Sequence, residues 1–425
     1  MTKTTLLHNR TAIIMAIVIL NVFLLSRCIN NTPAPITNNK GEQFAGSASC
    51  INCHKNVYDS FVHTAHYLSS RVADSNTIKG SFKQGNNQFL FGNTIVMMEK
   101  HDSNFYQIAY ALHLDSRTPY YEQLNSARFD IVIGSNTKGQ SYLYWNNDRL
   151  YQLPISYFTV IHNWCNSPGY PFHPVYKRSV TARCLECHST YAKITSPPDT
   201  VPEQFDFRQI IYGIDCERCH GAAAKHVAYQ LQHPGTTSAK YIVNPAKLSR
   251  QQNLDACALC HSGNSLHGTS ASFSFTPGDT ITNYFTRDSI PTDIHTIDVH
   301  GNQYGLLLSS QCFKKSETMT CNTCHNTHNQ ERGNTVLFSQ RCMSCHNTKE
   351  AVACSLTKSL GAVVISKNCI DCHMPLLASK SISVSLPGDT VTKAATVRSH
   401  YISIYPAETN KILTLIKKAN YTGFK

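Results

Sequence analysis

The chain has no apolar run approaching the ~20 residues that a membrane-spanning helix needs; the stretch "TAIIMAIVILNVFLL" near its start is 15 residues long. No aspartate or glutamate precedes Glu42. From residue 184 onward the Leu and Ile periodicity by which helices bury a shared face is weak. Apolar residues still make up 41% of the 425 positions, ordinary for a globular chain. Two residue types are abundant instead. There are 18 cysteines and 21 histidines, roughly two to three times the usual share.

The start of the chain reads as an export signal. Lys3 and Arg10 precede the 15-residue run, which is acid-free and short for a permanent span. The run ends in "LLSRC", where a leucine three places before a cysteine resembles the lipobox of bacterial lipoproteins; Arg27 departs from that pattern, which favours a small residue before the cysteine. The reading favoured is a lipoprotein-type signal peptide over residues 1–27, with Cys28 carrying lipid and tying the protein to a membrane. A plain secreted form and an uncleaved anchor stay open. All three place the body outside the cytoplasm, in the periplasm or at the cell surface.

Fourteen of the cysteines fall into seven copies of C-x-x-C-H: Cys50, Cys53 and His54; Cys184, Cys187 and His188; Cys216, Cys219 and His220; Cys257, Cys260 and His261; Cys321, Cys324 and His325; Cys342, Cys345 and His346; Cys369, Cys372 and His373. A C-x-x-C pair alone suits a zinc half-site or a redox dithiol. Neither needs a histidine next, and with histidine at about one residue in twenty, chance would place one after all seven pairs about once in a billion trials. The motif therefore reads as attachment of c-type haem, seven covalently held groups in all. Two thiols bond the two vinyl groups of one porphyrin edge, and the adjacent histidine is brought to the iron. Each haem also adds a large flat apolar surface, which accounts for the weak aliphatic periodicity. The net charge of +12 is offset by haem propionates, so it argues for no nucleic acid. The basic side chains read as propionate partners and solvated surface.

A low-spin electron-transfer haem takes a ligand on each face. His66, His226 and His328 lie shortly after a motif histidine, on the same side of that motif's own haem, so they are expected to bind the iron of a neighbouring haem. His300 and His400 are further candidates. The eight other spare histidines read as surface or supporting residues. Among the remaining cysteines, Cys312 and Cys354 are expected to form a disulfide, and Cys165 reads as a buried, inert thiol. Glu217 and Arg218, between the third pair of cysteines, read as loop filling.

The expected organisation is a flexible tether over 28–49, a first haem segment over 50–70, a β-rich insert over 71–183, a six-haem domain over 184–373, and a C-terminal segment over 374–425 ending in a helix that begins near Ala407. In the insert, "NTIVMMEK" and "FYQIAYAL" flank the turn "HDSN", while "SYLYW" and "RLYQLPISYF" flank "NND". Unequal motif spacings argue against a solenoid. Short helices are expected to follow the motifs.

Several stretches resemble the multihaem cytochrome c superfamily that includes the tetrahaem cytochromes of ammonia oxidation, hydroxylamine-oxidoreductase-like proteins and octahaem reductases. They are "CINCHKNVYDSFVHTAH", "GIDCERCHGAAAKHVA", "IVNPAKL" before "CALCHSG", "DVHGNQYGLLLSSQCFKKSETMTCNTCHNTH" and "CIDCHMP". "IGSNTKGQSYLYWNNDRLYQLPISYF" and "WCNSPGYP" are similar to a β-rich insert of uncharacterised members. The resemblance covers about residues 46–405 and implies a haem-cored fold of mostly short helices and irregular loops, with the β-rich insert between the first and second motifs. It also implies that His66, His226 and His328, and less firmly His300 and His400, are distal ligands. The favoured function is electron transfer along closely spaced, mostly bis-histidine haems in respiratory metabolism, with other redox proteins as donor and acceptor. Two alternatives stay open: an oxidoreductase with one open-faced haem acting on a nitrogen or sulfur oxyanion or a hydroxylamine-type substrate, and a scaffold subunit of a respiratory complex. In nitrite-reductase-like relatives a lysine often replaces the motif histidine at the catalytic haem, and no C-x-x-C-K occurs here.

Overall fold

A computed structural model describes residues 15–17, 34–114, 118–346, 354–384, 386 and 391–422. Lys3, Arg10, the lipobox-like residues and Cys28 lie outside the described residues. Among the described residues no helix is long and apolar enough to cross a membrane. Residues 1–37 and 38–425 form separate units; everything below concerns the second.

Among the described residues eleven strands lie between the first and second motifs: β1 (Ser70–Val72), β2 (Gln88–Phe91), β3 (Thr94–His101), β4 (Asn104–His113), β5 (Tyr120–Arg128), β6 (Ile131–Ile133), β7 (Gly139–Asn146), β8 (Arg149–Gln152), β9 (Ile155–Phe158), β10 (Asn163–Asn166) and β11 (Arg178–Ser179). One antiparallel sheet has the order β2-β3-β4-β5; the other runs β1-β6-β7-β8-β11, with β9 pairing both β7 and β10. Three hairpins turn on two residues each, and the first turn residue, Gly92, Asp102 or Asn147, has a positive φ of 54°, 53° or 56°. Glycine, aspartate and asparagine tolerate that region, and its twist matches the flanking strands. The stretch "RLYQLPISYF" splits into β8 and β9 at Leu153 and Pro154, because proline has no N–H to continue the ladder.

Between the sheets lie Val96, Met98, Phe105, Phe129, Val132, Tyr142, Leu153, Ile155 and Trp164. Gln107 is fully buried there with both ends satisfied: its Nε2 donates to the Ile155 carbonyl at 2.7 Å and its Oε1 accepts from the Ile155 N–H at 3.0 Å. Cys165 is buried, and burial pushes its thiol up to about 12, so it is protonated and unreactive.

The rest of the body is mainly helical: α1 (Ile51–Phe61), α2 (Ala182–His188), α3 (Cys216–His220), α4 (Ala224–Gln232), α5 (Arg250–His261), α6 (Gln303–Ser309), α7 (Gln311–Lys315), α8 (Thr335–His346), α9 (Thr357–Leu360), α10 (Ala362–His373) and α11 (Pro406–Thr422). A two-stranded pair, β12 (Ser189–Ile194) with β13 (Phe205–Tyr212), leads from the second motif into the third. A second core gathers Leu254, Ala258, Leu259, Phe275, Ile281, Phe285, Tyr304, Leu307 and Phe313 around α5. The terminal helix starts at Pro406, a residue suited to a first helical turn.

Residues 38–46, expected to belong to a flexible tether, are held to the body. Lys40 forms an ion pair with Asp279 at 2.8 Å, Asn39 donates to the Ser272 carbonyl at 2.9 Å, and the Ala45 and Gly46 N–H groups both donate to Glu217 at 2.8 Å. The polar composition that suggested solvation supplies the partners for this docking.

Candidate functional site

The motifs end helices instead of preceding them. Among the described residues α2, α3, α5, α8 and α10 all stop at the motif histidine, the first motif leads into α1, the third is followed by α4, and the fifth begins on a short 3-10 turn, Cys321–Thr323. Helical spacing explains this placement. Residues i, i+3 and i+4 share one helix face, so a single turn aims two thiols and an imidazole the same way.

The histidines come together in pairs. The His66 and His261 rings have centroids 6.1 Å apart, His220 and His328 6.1 Å, and His325 and His400 6.0 Å. His300 is the charge neighbour of His188. Each pair joins a candidate distal histidine to a motif histidine remote in sequence. A metal–imidazole nitrogen bond is about 2 Å long and the ring centre lies about 1 Å beyond the nitrogen, so imidazoles on opposite faces of one iron have centres about 6 Å apart. Burial pushes His188, His261 and His400 down to about 4, which keeps them in the neutral, metal-binding form. His261 is desolvated in this way yet keeps exposed surface.

Backbone carbonyls orient further histidines. His220 Nδ1 donates to the Val243 carbonyl at 2.9 Å, His373 Nδ1 to the Ser403 carbonyl at 2.9 Å, and His226 Nδ1 to the Lys240 carbonyl at 2.8 Å. A proton held on Nδ1 leaves the Nε2 lone pair for a metal. His226 is half-buried on α4, and among the described residues its ring pairs with no motif histidine. His54 and His346 are exposed, and His346 adjoins residues outside those described.

Motifs also touch one another through their thiols. Cys50 lies against Cys216, Cys187 against Cys260, Cys257 against Cys321, and Cys342 against Cys369. Cys312 and Cys354 are free thiols and not the expected disulfide. Cys312 lies near Cys324 and Cys345, whereas Cys354 lies near Cys372, so each neighbours a different motif.

The charged residues inside the motifs are anchors, which corrects their reading as filler. Glu217 is buried and accepts from the N–H groups of Ala45, Gly46 and Ala223, all at 2.8 Å. Arg218 donates to the Glu186 carbonyl at 3.1 Å and lies over the Phe273 ring. Glu186, buried in the second motif, accepts from Phe273 N–H at 2.6 Å, and Asp371 in the seventh pairs with Arg398 at 2.5 Å. Asp215 caps α3 by accepting from Glu217 N–H at 2.9 Å and also takes the Thr190 hydroxyl. The spacing motif hides these roles; a charged residue between two cysteines is the signal that could have exposed them.

The residues fit the haem group in a second respect. Arg71 Nε, Arg218 Nε, and Arg287 Nε and Nη2 are buried with no partner among the described residues. A buried guanidinium N–H needs an acceptor, and an ionised propionate is a strong one. Thiols at i and i+3, imidazole at i+4, facing histidines and buried guanidinium nitrogens without partners together form a donor set for c-type haem.

Residues 171–221, which hold the second and third motifs, match the family described as cytochrome c554 and c-prime. The fold is similar to that of outer cell wall cytochrome OcwA in its crystal structure, with a TM-score of 0.53 at 15% identity over 87% of this chain and 81% of that one. No protein with a curated description matches the chain. Both findings place the chain's likeness among the cytochromes, in sequence around two of the motifs and in fold over most of its length.

Proposed function

We propose that the chain carries seven c-type haems, one at each motif, and passes single electrons among them outside the cytoplasm, between other redox proteins. The facing histidine pairs carry this reading: their 6.0–6.1 Å separations suit two ligands of one iron. On this reading His66 serves the haem of His261, His328 that of His220, His400 that of His325 and His300 that of His188. His226 serves the haem of His54, because the first and third motifs meet at Cys50 and Cys216 and α4 follows the third motif directly. Haem, when bound, supplies a one-electron iron couple. The chain's own part is to fix neutral imidazoles by carbonyl contacts, to neutralise propionates with buried arginines, and to hold the motifs edge to edge. The thiol contacts link motifs 1 to 3, 2 to 4, 4 to 5 and 6 to 7. The lipidated Cys28 of the sequence reading supplies the membrane contact.

A pyridine haemochrome assay is expected to give seven haems per chain. Low-temperature EPR of the oxidised protein is expected to show low-spin iron alone; a high-spin signal worth one iron in seven would sink the pure carrier in favour of an open-faced enzyme. Replacing His66 with Ala should convert one haem to high spin with seven haems still attached, and an unchanged spectrum removes His66 from the ligand set.

A further inference from the structure

We infer that the cleft between the two sheets of the strand-rich region binds the chain of an acidic polysaccharide. The inference is independent of the haem reading. The cleft measures about 620 Å³, within the range of about 300–1,000 Å³ typical of ligand sites. β5 forms one wall, the β7–β8 hairpin and the segment before β11 form the other, and the buried Ala127 and Tyr176 lie at its base.

Aromatic rings dominate one side. Tyr144 and Tyr151 stack with centroids 5.6 Å apart and planes 29° from parallel, and Trp145, the next residue along β7, also lines the cleft. Phe207, 61% exposed, meets Trp145 edge-on at 6.4 Å and extends this surface beyond the cleft. Half-exposed rings such as Tyr144, Trp145 and Tyr151 and the exposed Phe207 offer the flat apolar surface that the C–H faces of pyranose rings cover while their hydroxyl edges stay polar. Opposite stand Asn125 and Ser126, with Asn146 at the hairpin end; among the described residues their side chains have no hydrogen-bond partner. Asn125 sits at an irregularity where Ala109 pairs Asn125 and Tyr110 pairs Gln123, a bulge of the sort that re-aims side chains beside binding sites.

The charge of the lining selects an acidic chain. Two cations, Arg128 and Lys177, line the cleft and no carboxylate does. Asp130 holds Arg128 through Nε at 2.6 Å, which fixes the guanidinium and leaves its two terminal nitrogens for a ligand. A guanidinium so held takes a carboxylate in a two-pronged contact. Lys177 is exposed and has no ion pair among the described residues. A cleft with stacking surface, amide donors and a fixed guanidinium matches a uronate-containing polymer on all three counts.

Affinity electrophoresis of the full holoprotein through native gels cast with polygalacturonate or with dextran tests this. Polygalacturonate is expected to retard the protein and dextran to do so far less. The Trp145→Ala variant and the Arg128→Gln/Lys177→Gln variant should each weaken retardation about tenfold, Trp145→Phe should retain most of it, and the haem spectrum should not change. Should Trp145→Ala fail to fold, the exposed pair Asn125→Ala/Asn146→Ala replaces it with the same expectation. Absence of retardation, equal retardation by dextran, or retardation that persists in the variants and vanishes with salt would each overturn the proposal.

Discussion

At the scale of single residues, the third motif shows how much a spacing pattern conceals. Cys216, Cys219 and His220 are legible from sequence because their chemistry fixes their spacing. Asp215, Glu217 and Arg218 are not, because their partners at Thr190, Ala45, Gly46 and Glu186 come from elements that sequence order does not bring near. Asp215 has a measurable consequence. Burial, and then the neighbouring Glu217, push its carboxyl up to about 6 from an ordinary value of 3.8. The unfolded chain thus loses this proton at lower pH than the folded one. Its penalty on the fold is absent below about pH 4, grows as pH rises to about 6 and is constant above, amounting to about 2–3 kcal/mol. Asp215→Asn keeps an acceptor for the Glu217 N–H and has no charge to bury. The difference in denaturation midpoint between variant and parent holoprotein should therefore grow in the variant's favour from pH 4 to pH 6; a constant difference would show that Asp215 is not the titrating group.

At the scale of elements, the hairpins were readable because alternating apolar residues flank Asp102 and Asn147, whose side chains tolerate positive φ. The motif helices were misplaced, expected after each motif when most end in it. Periodicity gave no help there, since α5, α8 and α10 turn their cysteines and histidine to one face in place of a leucine stripe. Gly213, where β13 gives way to α3, illustrates a constraint visible only in three dimensions. Its φ is +71°, and a Cβ there would lie 2.2 Å from the Tyr67 carbonyl oxygen. Backbone cannot yield as a side chain can, so Gly213→Ala should destabilise the holoprotein by about 2–4 kcal/mol, measured as a lower guanidinium midpoint at unchanged slope. A shift under half a kilocalorie would mean that the segments separate freely.

At the scale of the whole body, the candidate distal histidines illustrate what sequence could and could not supply. His66 and His328 were identifiable as candidates for another motif because each follows its own too closely, but which motif histidine each ring faces depends on the chain folding back from residue 261 to residue 66 and from 328 to 220. Neighbouring cofactors also sense each other's charge. On the proposed seven-haem reading, removing the haem of the first motif by Cys50→Ser/Cys53→Ser should shift the redox titration step of the third motif's haem more than that of the sixth, and equal shifts would contradict the contact between Cys50 and Cys216. The same thiol contacts carry a hazard during biogenesis. Eight motif cysteines face a cysteine of another motif, and in an oxidising compartment a compact chain with bare thiols would staple its motifs together in four wrong crosslinks. On the proposed reading, thioether formation therefore comes before compaction, so that maturation order, and not only the final fold, is written into the positions of these cysteines.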